Sequence, residues 1–206
     1  MILYIDTSTS LFISALVKNN KIIASINEEL DKKMSEVALL KITSLFTDNN
    51  IKPTEIKKIV VINGPGSFTG IRVGITIAKT FAWATNIPII EASGLESMAI
   101  STDKDAFLVP VIDAKRDYVF AAIYHSDKKE YISPHHIGKK ELENHLSALN
   151  EYVIITNDDV NIIGNKVSYE PNILNIINAF KDQKPTDVHM VNPNYLKLTE
   201  AEENKA

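Results

Sequence analysis

Asp6, Thr7, Ser67 and the glycines of Asn63-Gly64-Pro65-Gly66-Ser67-Phe68-Thr69-Gly70 are the residues of this chain best suited to chemistry. Asp6 closes an apolar run and is followed by Thr7, Ser8 and Thr9, a place where a carboxylate can hold a metal–nucleotide complex or simply cap a turn. Gly64, Gly66 and Gly70 let a backbone approach something closely, and Ser67 or Thr69 offers a cap to the helix that follows. A helix start behind a glycine turn collects unpaired N–H groups that favour an anion. Glu91 lies some twenty residues further on, the spacing of a ribose-binding acid in a dinucleotide fold. Against that fold, the turn does not spell G-x-G-x-x-G, and Pro65 sits inside it.

Other chemistries fit poorly. His125, His135, His136, His145 and His189 give no i, i+4 pair on a helix, and His135-His136 are placed in a loop after Pro134. GPGSFTG is not the elbow of a serine hydrolase. With no cysteine there is no disulfide and no thiolate ligand or nucleophile. The net charge of −4 argues against gripping nucleic acid unaided, because phosphate binding needs clustered Lys and Arg. At 206 residues, 45% hydrophobic and 23% charged, the chain suits one large or two small soluble domains. The start MILYIDTSTS has no positive region or cleavage signal, and no apolar run reaches the ~18 residues of a membrane span, so a cytoplasmic location is expected.

The elements that must position these groups alternate as α/β. Strands are expected at 2–6, 12–17 and 21–27, a helix at 34–46, a strand at 59–62, a helix from Ile71 to Trp83, a strand at 87–91 and a helix to Ile100. Polar Thr102-Asp103-Lys104-Asp105 marks a hinge. Beyond it come strands at 107–113 and 118–125, a helix at 141–149, a strand at 152–156 and a helix at 173–180. Three strands followed by alternating helix and strand is the order of an RNase H-like layer. The division is thus 1–102, a smaller lobe 103–198, and a frayed polar tail 199–206.

Two helices are more apolar than one buried face requires. Ile71, Ile75, Ala78 and Ala82 form one stripe, and Val73, Ile77, Phe81 and Ala84 a second, with Arg72, Thr76 and Lys79 as a polar edge. Apolar residues from Met34 to Phe46 cover roughly 260° of a helical wheel, where one face of roughly 100° would serve. Gly74, Ala78 and Ala82 permit close approach. Burial within the domain remains open for either helix alone; for both together, an external partner is expected.

MILYIDTSTS, NGPGSFTGIRVGITIAKTFA, VIDAKRDYVFAAIY and NPNYLKL, in this order from end to end, resemble the TsaB family, partner subunits in bacterial N6-threonylcarbamoyladenosine synthesis. The resemblance implies an ASKHA (actin-like ATPase) fold of two RNase H-like lobes. It also implies a noncatalytic companion of TsaD, the paralogue that modifies the adenosine beside the tRNA anticodon. TsaD carries a histidine-x-x-x-histidine metal pair, which falls here on Gly94 and Met98, poor ligands. No cofactor is therefore expected on this subunit, with ATP and metal on its partners. The docking surface is assigned to Met34, Val37, Ala38, Lys41 and Leu45 of one helix and Ile71, Arg72, Ile75, Ala78, Lys79 and Ala82 of the other. A homodimer alone, contact with the TsaE ATPase, and tRNA binding only within the complex complete these expectations. Departures from the family pattern include Met34 for a histidine and Lys197 for an arginine. The alternative is a small ASKHA-type or Rossmann-like nucleotide-binding enzyme using Asp6, Thr7 and the Gly64–Gly70 turn.

Overall fold

The structure is a computed structural model that describes residues 1–30 and 33–197. Contacts divide it into two units. The first is Met1–Gly94 with Asn172–Pro193; the second is Leu95–Pro171 with the described residues from Asn194 on.

In the first unit, β1 (Ile2–Asp6) pairs antiparallel with β2 (Leu11–Lys18), and β2 with β3 (Lys21–Glu29). Asn19 and Asn20 make the second of these turns with positive φ, which asparagine tolerates. On its other side β1 pairs parallel with β4 (Lys58–Gly64), and β4 with β5 (Ile89–Ser93), giving the order β3-β2-β1-β4-β5. β1 is central, so Leu3, Tyr4 and Ile5 are fully buried. β3 is an edge and alternates between exposed and half-buried positions. The crossover helices α1 (Met34–Thr47) and α2 (Phe68–Thr85) pack side by side, α1 on β2 and β3 and α2 on β4 and β1. One apolar cluster from both helices and the strands fills this layer.

The second unit repeats the arrangement after α3 (Gly94–Ser101). β6 (Phe107–Asp113), β7 (Tyr118–Tyr124) and β8 (Glu130–Gly138) are antiparallel. α4 (Lys139–Ser147) follows, then β9 (Tyr152–Ile155) parallel to β6 and β10 (Lys166–Val167) parallel to β9. The order β10-β9-β6-β7-β8 is that of the first sheet traversed the other way. Two mixed sheets, each a three-stranded meander extended by two parallel strands, are the pair of RNase H-like layers the sequence implies.

Three features differ from the sequence expectation. His135 and His136 lie in β8, not in a loop; this strand is an edge, and a register shift there accommodates Pro134, which cannot donate to a ladder. α5 (Ile173–Phe180) returns to the first unit and packs on β5 instead of joining the second lobe. The division falls between Gly94 and Leu95 rather than after Thr102, because Leu95, Met98 and Ala99 of α3 pack into the second core. The polar tail 199–206 lies outside the described residues. Among the described residues, no helix is long and apolar enough to cross a membrane.

Candidate functional site

The glycine turn is filled by the chain itself. Ser67 donates its backbone N–H to the Ser8 carbonyl at 2.7 Å, and the Thr7 hydroxyl donates to the Gly70 carbonyl at 2.7 Å. A Cβ at Gly66 would stand 2.0 Å from the Ser8 oxygen, one at Gly70 2.0 Å from the Thr7 oxygen, and one at Gly74 2.4 Å from the Thr7 hydroxyl. These glycines permit close approach, as their spacing predicts, but what approaches is the β1–β2 corner rather than a phosphate. Gly64 (φ 124°) and Gly66 (φ 152°) supply the positive φ values of the turn. The Ser67 hydroxyl is used as the helix cap, accepting from the Gly70 N–H at 3.2 Å.

Asp6 ends β1 beneath this corner, 2% exposed. Its carboxylate accepts the Ser8 N–H at 2.9 Å and the Ser8 hydroxyl at 2.7 Å. Burial pushes its carboxyl above the ordinary range, while the two Ser8 hydrogen bonds pull the other way. Asp6, Thr7, Gly64, Gly66 and Ser67 are therefore brought together, but as a self-contained corner with turn bonds. The sheet departs from a dinucleotide fold, because the glycine turn follows the fourth strand, β4, and β1, β2 and β3 form an antiparallel meander rather than part of a parallel sheet. Glu91 is engaged by the Asn63 side-chain amide at 3.1 Å.

Gly94 and Met98, where the resemblance places the metal pair, are taken up by packing. A Cβ at Gly94 would meet the Pro65 carbonyl at 3.3 Å, and Met98 is buried in the second core. Among the described residues, no three His, Cys, Asp or Glu side chains gather where they could hold a metal ion. His125 packs against Phe107 and Tyr131, and His136 stacks on Tyr118.

The helix faces are turned over relative to the sequence assignment. Ile71, Ile75, Ala78 and Ala82 of α2 are at most 4% exposed, and Met34, Ala38 and Leu45 of α1 at most 5%, all in the unit's own core. These residues cannot meet a partner while the unit is folded. Gly70 and Gly74 of α2 serve approach to the β1–β2 corner. Lys41 pairs with Glu28 on β3 at 2.5 Å, and Lys79 donates to the carbonyls of His189 at 3.2 Å and Val191 at 3.0 Å, so both cations have work within the unit. Val37 is half-buried. Arg72 is exposed, its guanidinium 3.9 Å from the Phe68 ring centroid.

The second stripe is the one left open. Val73, Ile77 and Phe81 are only half-buried, while Leu39 is 60% and Leu40 68% exposed. Between α1 and α2 runs a groove of about 1000 Å³ over Ile42, Phe46, Ile77 and Phe81, with Phe46 and Phe81 stacked 5.8 Å apart. A further section of about 470 Å³ adjoins it at Leu39, Phe68, Arg72 and Val73. An apolar groove of this extent on one side of a small unit is the candidate binding surface. Its residues were visible in the sequence as the second stripe, but periodicity alone does not say which stripe meets the sheet.

The family model for TsaD, tRNA N6-adenosine threonylcarbamoyltransferase, matches residues 21–203. The tRNA threonylcarbamoyladenosine biosynthesis protein TsaB of Bacillus subtilis is 31% identical over 219 residues, covering 98% of this chain and 96% of that one. YeaZ from Pseudomonas aeruginosa superposes with a TM-score of 0.74 at 18% identity, covering 95% of this chain and 99% of that chain. A second Pseudomonas aeruginosa structure, an uncharacterized protein with similarity to peptidase YeaZ, gives a TM-score of 0.76, also at 18% identity and with the same coverage. At this identity the two structures bear on the fold, and they match both units of it.

Proposed function

The chain belongs to the TsaB family, and on that premise we propose that it is a noncatalytic subunit of tRNA threonylcarbamoyladenosine synthesis, docking on TsaD through the α1–α2 groove. The groove carries this reading. Leu39, Leu40, Ile77 and Phe81 leave an apolar surface that the unit does not cover and that a pair of partner helices would bury in a four-helix contact.

A noncatalytic role is supported by how the reactive-looking residues are used. Asp6 is bonded to Ser8, the glycines are packed against Thr7 and Ser8, and Gly94 and Met98 stand where the resemblance places the paralogue's metal ligands. ATP and metal then belong to the partner subunits. In isolation the same groove can pair with a second copy across a two-fold axis. tRNA is reached through the assembled complex, since the chain's charge of −4 gives it little unaided hold on phosphate. Contact with the TsaE ATPase would also be made within that assembly.

Purified chain and purified TsaD should comigrate as a stoichiometric complex, and tRNA modification in the reconstituted reaction should require both. Ile77→Asp should remove comigration and activity together while leaving the melting temperature of the lone chain within a few degrees. Full modification by TsaD and the other components without this chain, or stoichiometric metal and ATP turnover by the chain alone, would overturn the proposal.

A further inference from the structure

β3 ends the first sheet, and its charges are sorted along its length. The sheet order places it outermost, with β2 as its pairing partner among the described residues. At one end Lys21 stands opposite Lys18 beside the Asn19-Asn20 turn, and at the other end are Glu28 and Glu29. Ser25 is the midpoint between Lys21 and Glu29. Near the basic end Ile22 is 42% and Ile23 46% exposed. An edge strand with exposed apolar residues is a template for another strand unless charge or a bulge blunts it. Charges of one sign would repel a second copy in either direction. Charges divided by end repel it in parallel and attract it in antiparallel.

The backbone is set for the same direction. The Leu30 N–H donates to the Ser10 carbonyl at 3.0 Å, which makes Ser10 and Leu30 a hydrogen-bonded pair continuing the β2–β3 ladder. Bonded and non-bonded pairs alternate in an antiparallel ladder. Glu28, Ile26 and Ala24 therefore bond to β2, while Glu29, Asn27 and Ser25 direct their N–H and C=O groups to the outer edge. The register shift at Leu16/Val17 ends this regular run before Ile22. Above the strand, α1 packs on β2 and β3, and the Lys41–Glu28 ion pair shows which flank of the helix looks toward the edge. Val37 and Ser44 lie beside Lys41 at i−4 and i+3. Leu40, 68% exposed, shares a flank with both and lines neither section of the groove.

We infer that β3 pairs antiparallel with β3 of a second copy of this chain, across a two-fold axis at Ser25, so that the first sheets of the two copies become continuous. In that register Lys21 of each copy stands across from Glu29 of the other, and Ser25 exchanges its outward N–H and C=O with its own equivalent. The two α1 helices then lie about 10 Å apart, two strand spacings of ~4.8 Å, which is the separation of packed helices. Val37, Leu40 and Ser44 meet their equivalents along that seam. The flank of α1 used is the one opposite the groove. The pairing is therefore separate from the docking role given above and does not rest on it.

The test is sedimentation equilibrium of the full chain carrying Ile77→Asp, which removes pairing through the groove, at concentrations up to on the order of 100 μM. A dimer should remain. Lys21→Glu and Glu29→Lys should each weaken it about tenfold, because each turns two attractions into two repulsions, and the two together should restore it to within about threefold of the parent. Ser25→Pro removes an outward N–H and leaves the β2 ladder intact, so it should abolish the dimer with little change in melting temperature. Hydrogen exchange should show the Ser25 and Asn27 amides slowing as concentration rises. A monomer at the highest concentration overturns the inference. So does a dimer indifferent to both single reversals, or a double exchange no stronger than the single ones. Concentration-dependent protection on α2 with none on β3 would also overturn it. Should Ser25→Pro fail to fold, the charge exchange decides alone.

Discussion

Glutamate at position 78 and glutamate at position 77 place the same group one residue apart on α2, with opposite expected consequences. Ala78 is fully buried in the first core, so Ala78→Glu puts a carboxyl among apolar side chains. It avoids a buried charge by protonating. At pH 7, for a glutamate that ionises at about 4.3 when unfolded, this costs about 3.7 kcal/mol. Forcing the extra atoms into packed space adds about 1–3 kcal/mol. The total, about 5–7 kcal/mol, is comparable with the whole stability of a domain, about 5–15 kcal/mol. At about 2–4 °C per kcal/mol the melting temperature should fall by at least about 10 °C.

Ile77 is half-buried on the groove side. Ile77→Glu lets the carboxylate reach water, and losing part of an isoleucine's burial costs about 1 kcal/mol. Against TsaD it should be severe, since an unpaired carboxylate in a desolvated contact costs several kcal/mol and each ~1.4 kcal/mol is tenfold in affinity. Urea titrations at pH 7 and pH 4.5 give a further check. The protonation cost in Ala78→Glu drops below about 1 kcal/mol at pH 4.5, so that variant should recover about 3 kcal/mol relative to the parent. Ala78→Gln, which has nothing to protonate, should recover nothing. Normal melting of Ala78→Glu with lost association would refute the inward placement of that stripe.

Two further outcomes follow from the β1–β2 corner. Asp6 has its carboxyl raised in the fold, so its contribution is present below the ordinary carboxylate range and is lost as pH rises through the raised value. Asp6→Asn keeps an oxygen to accept from Ser8 and should raise the urea midpoint at neutral pH, with the gain fading as pH falls into the ordinary range; a loss at neutral pH would contradict it. Gly70→Ala drives a methyl group against the Thr7 carbonyl and should depress soluble yield and melting temperature sharply. Gly138→Ala, where a Cβ would meet nothing within 4 Å, should stay within about 0.5 kcal/mol of the parent. Equal melting of the two alanine variants would refute the crowding at Gly70.

Periodicity and turn chemistry carry most of the fold in this sequence. The three N-terminal strands, α1, α2 and the helix at 173–180 can be placed from apolar spacing, and Ser67 from its position before an apolar run. What escapes is whatever depends on distant partners. β8 hides because Pro134 and two histidines look like a loop until an edge position and a register shift are known. α5 is local in its pattern but long-range in its destination, returning from the end of the chain to β5. The two stripes of α2 are equally legible and oppositely used, because a helical wheel shows that apolar faces exist and not which of them the sheet takes. For the same reason the groove residues Leu39, Ile77 and Phe81 are as legible in the sequence as Ile71, Ile75, Ala78 and Ala82, to which the sequence reading assigns the docking surface.

The glycine turn shows how a corner that looks catalytic can act as a spacer. Gly66, Gly70 and Gly74 are spaced so that α2 starts directly against the carbonyls of Thr7 and Ser8 and continues along the Thr7 side chain. That contact fixes how low α2 sits on β1 and β4. With the helix this close, Ile71, Ile75, Ala78 and Ala82 are small or slender enough to be consumed by the sheet, and Val73, Ile77 and Phe81 are left on the flank facing α1. α1 closes only part of that flank: Phe81 stacks on Phe46, while Leu39 and Leu40 remain outside. Two of these glycines, Gly66 and Gly70, belong to the turn that first suggests a phosphate. A helix held further from the sheet would need larger residues beneath it to fill the space. In this fold the glycines act through the height of α2, and the flank left facing α1 is the one proposed to bind.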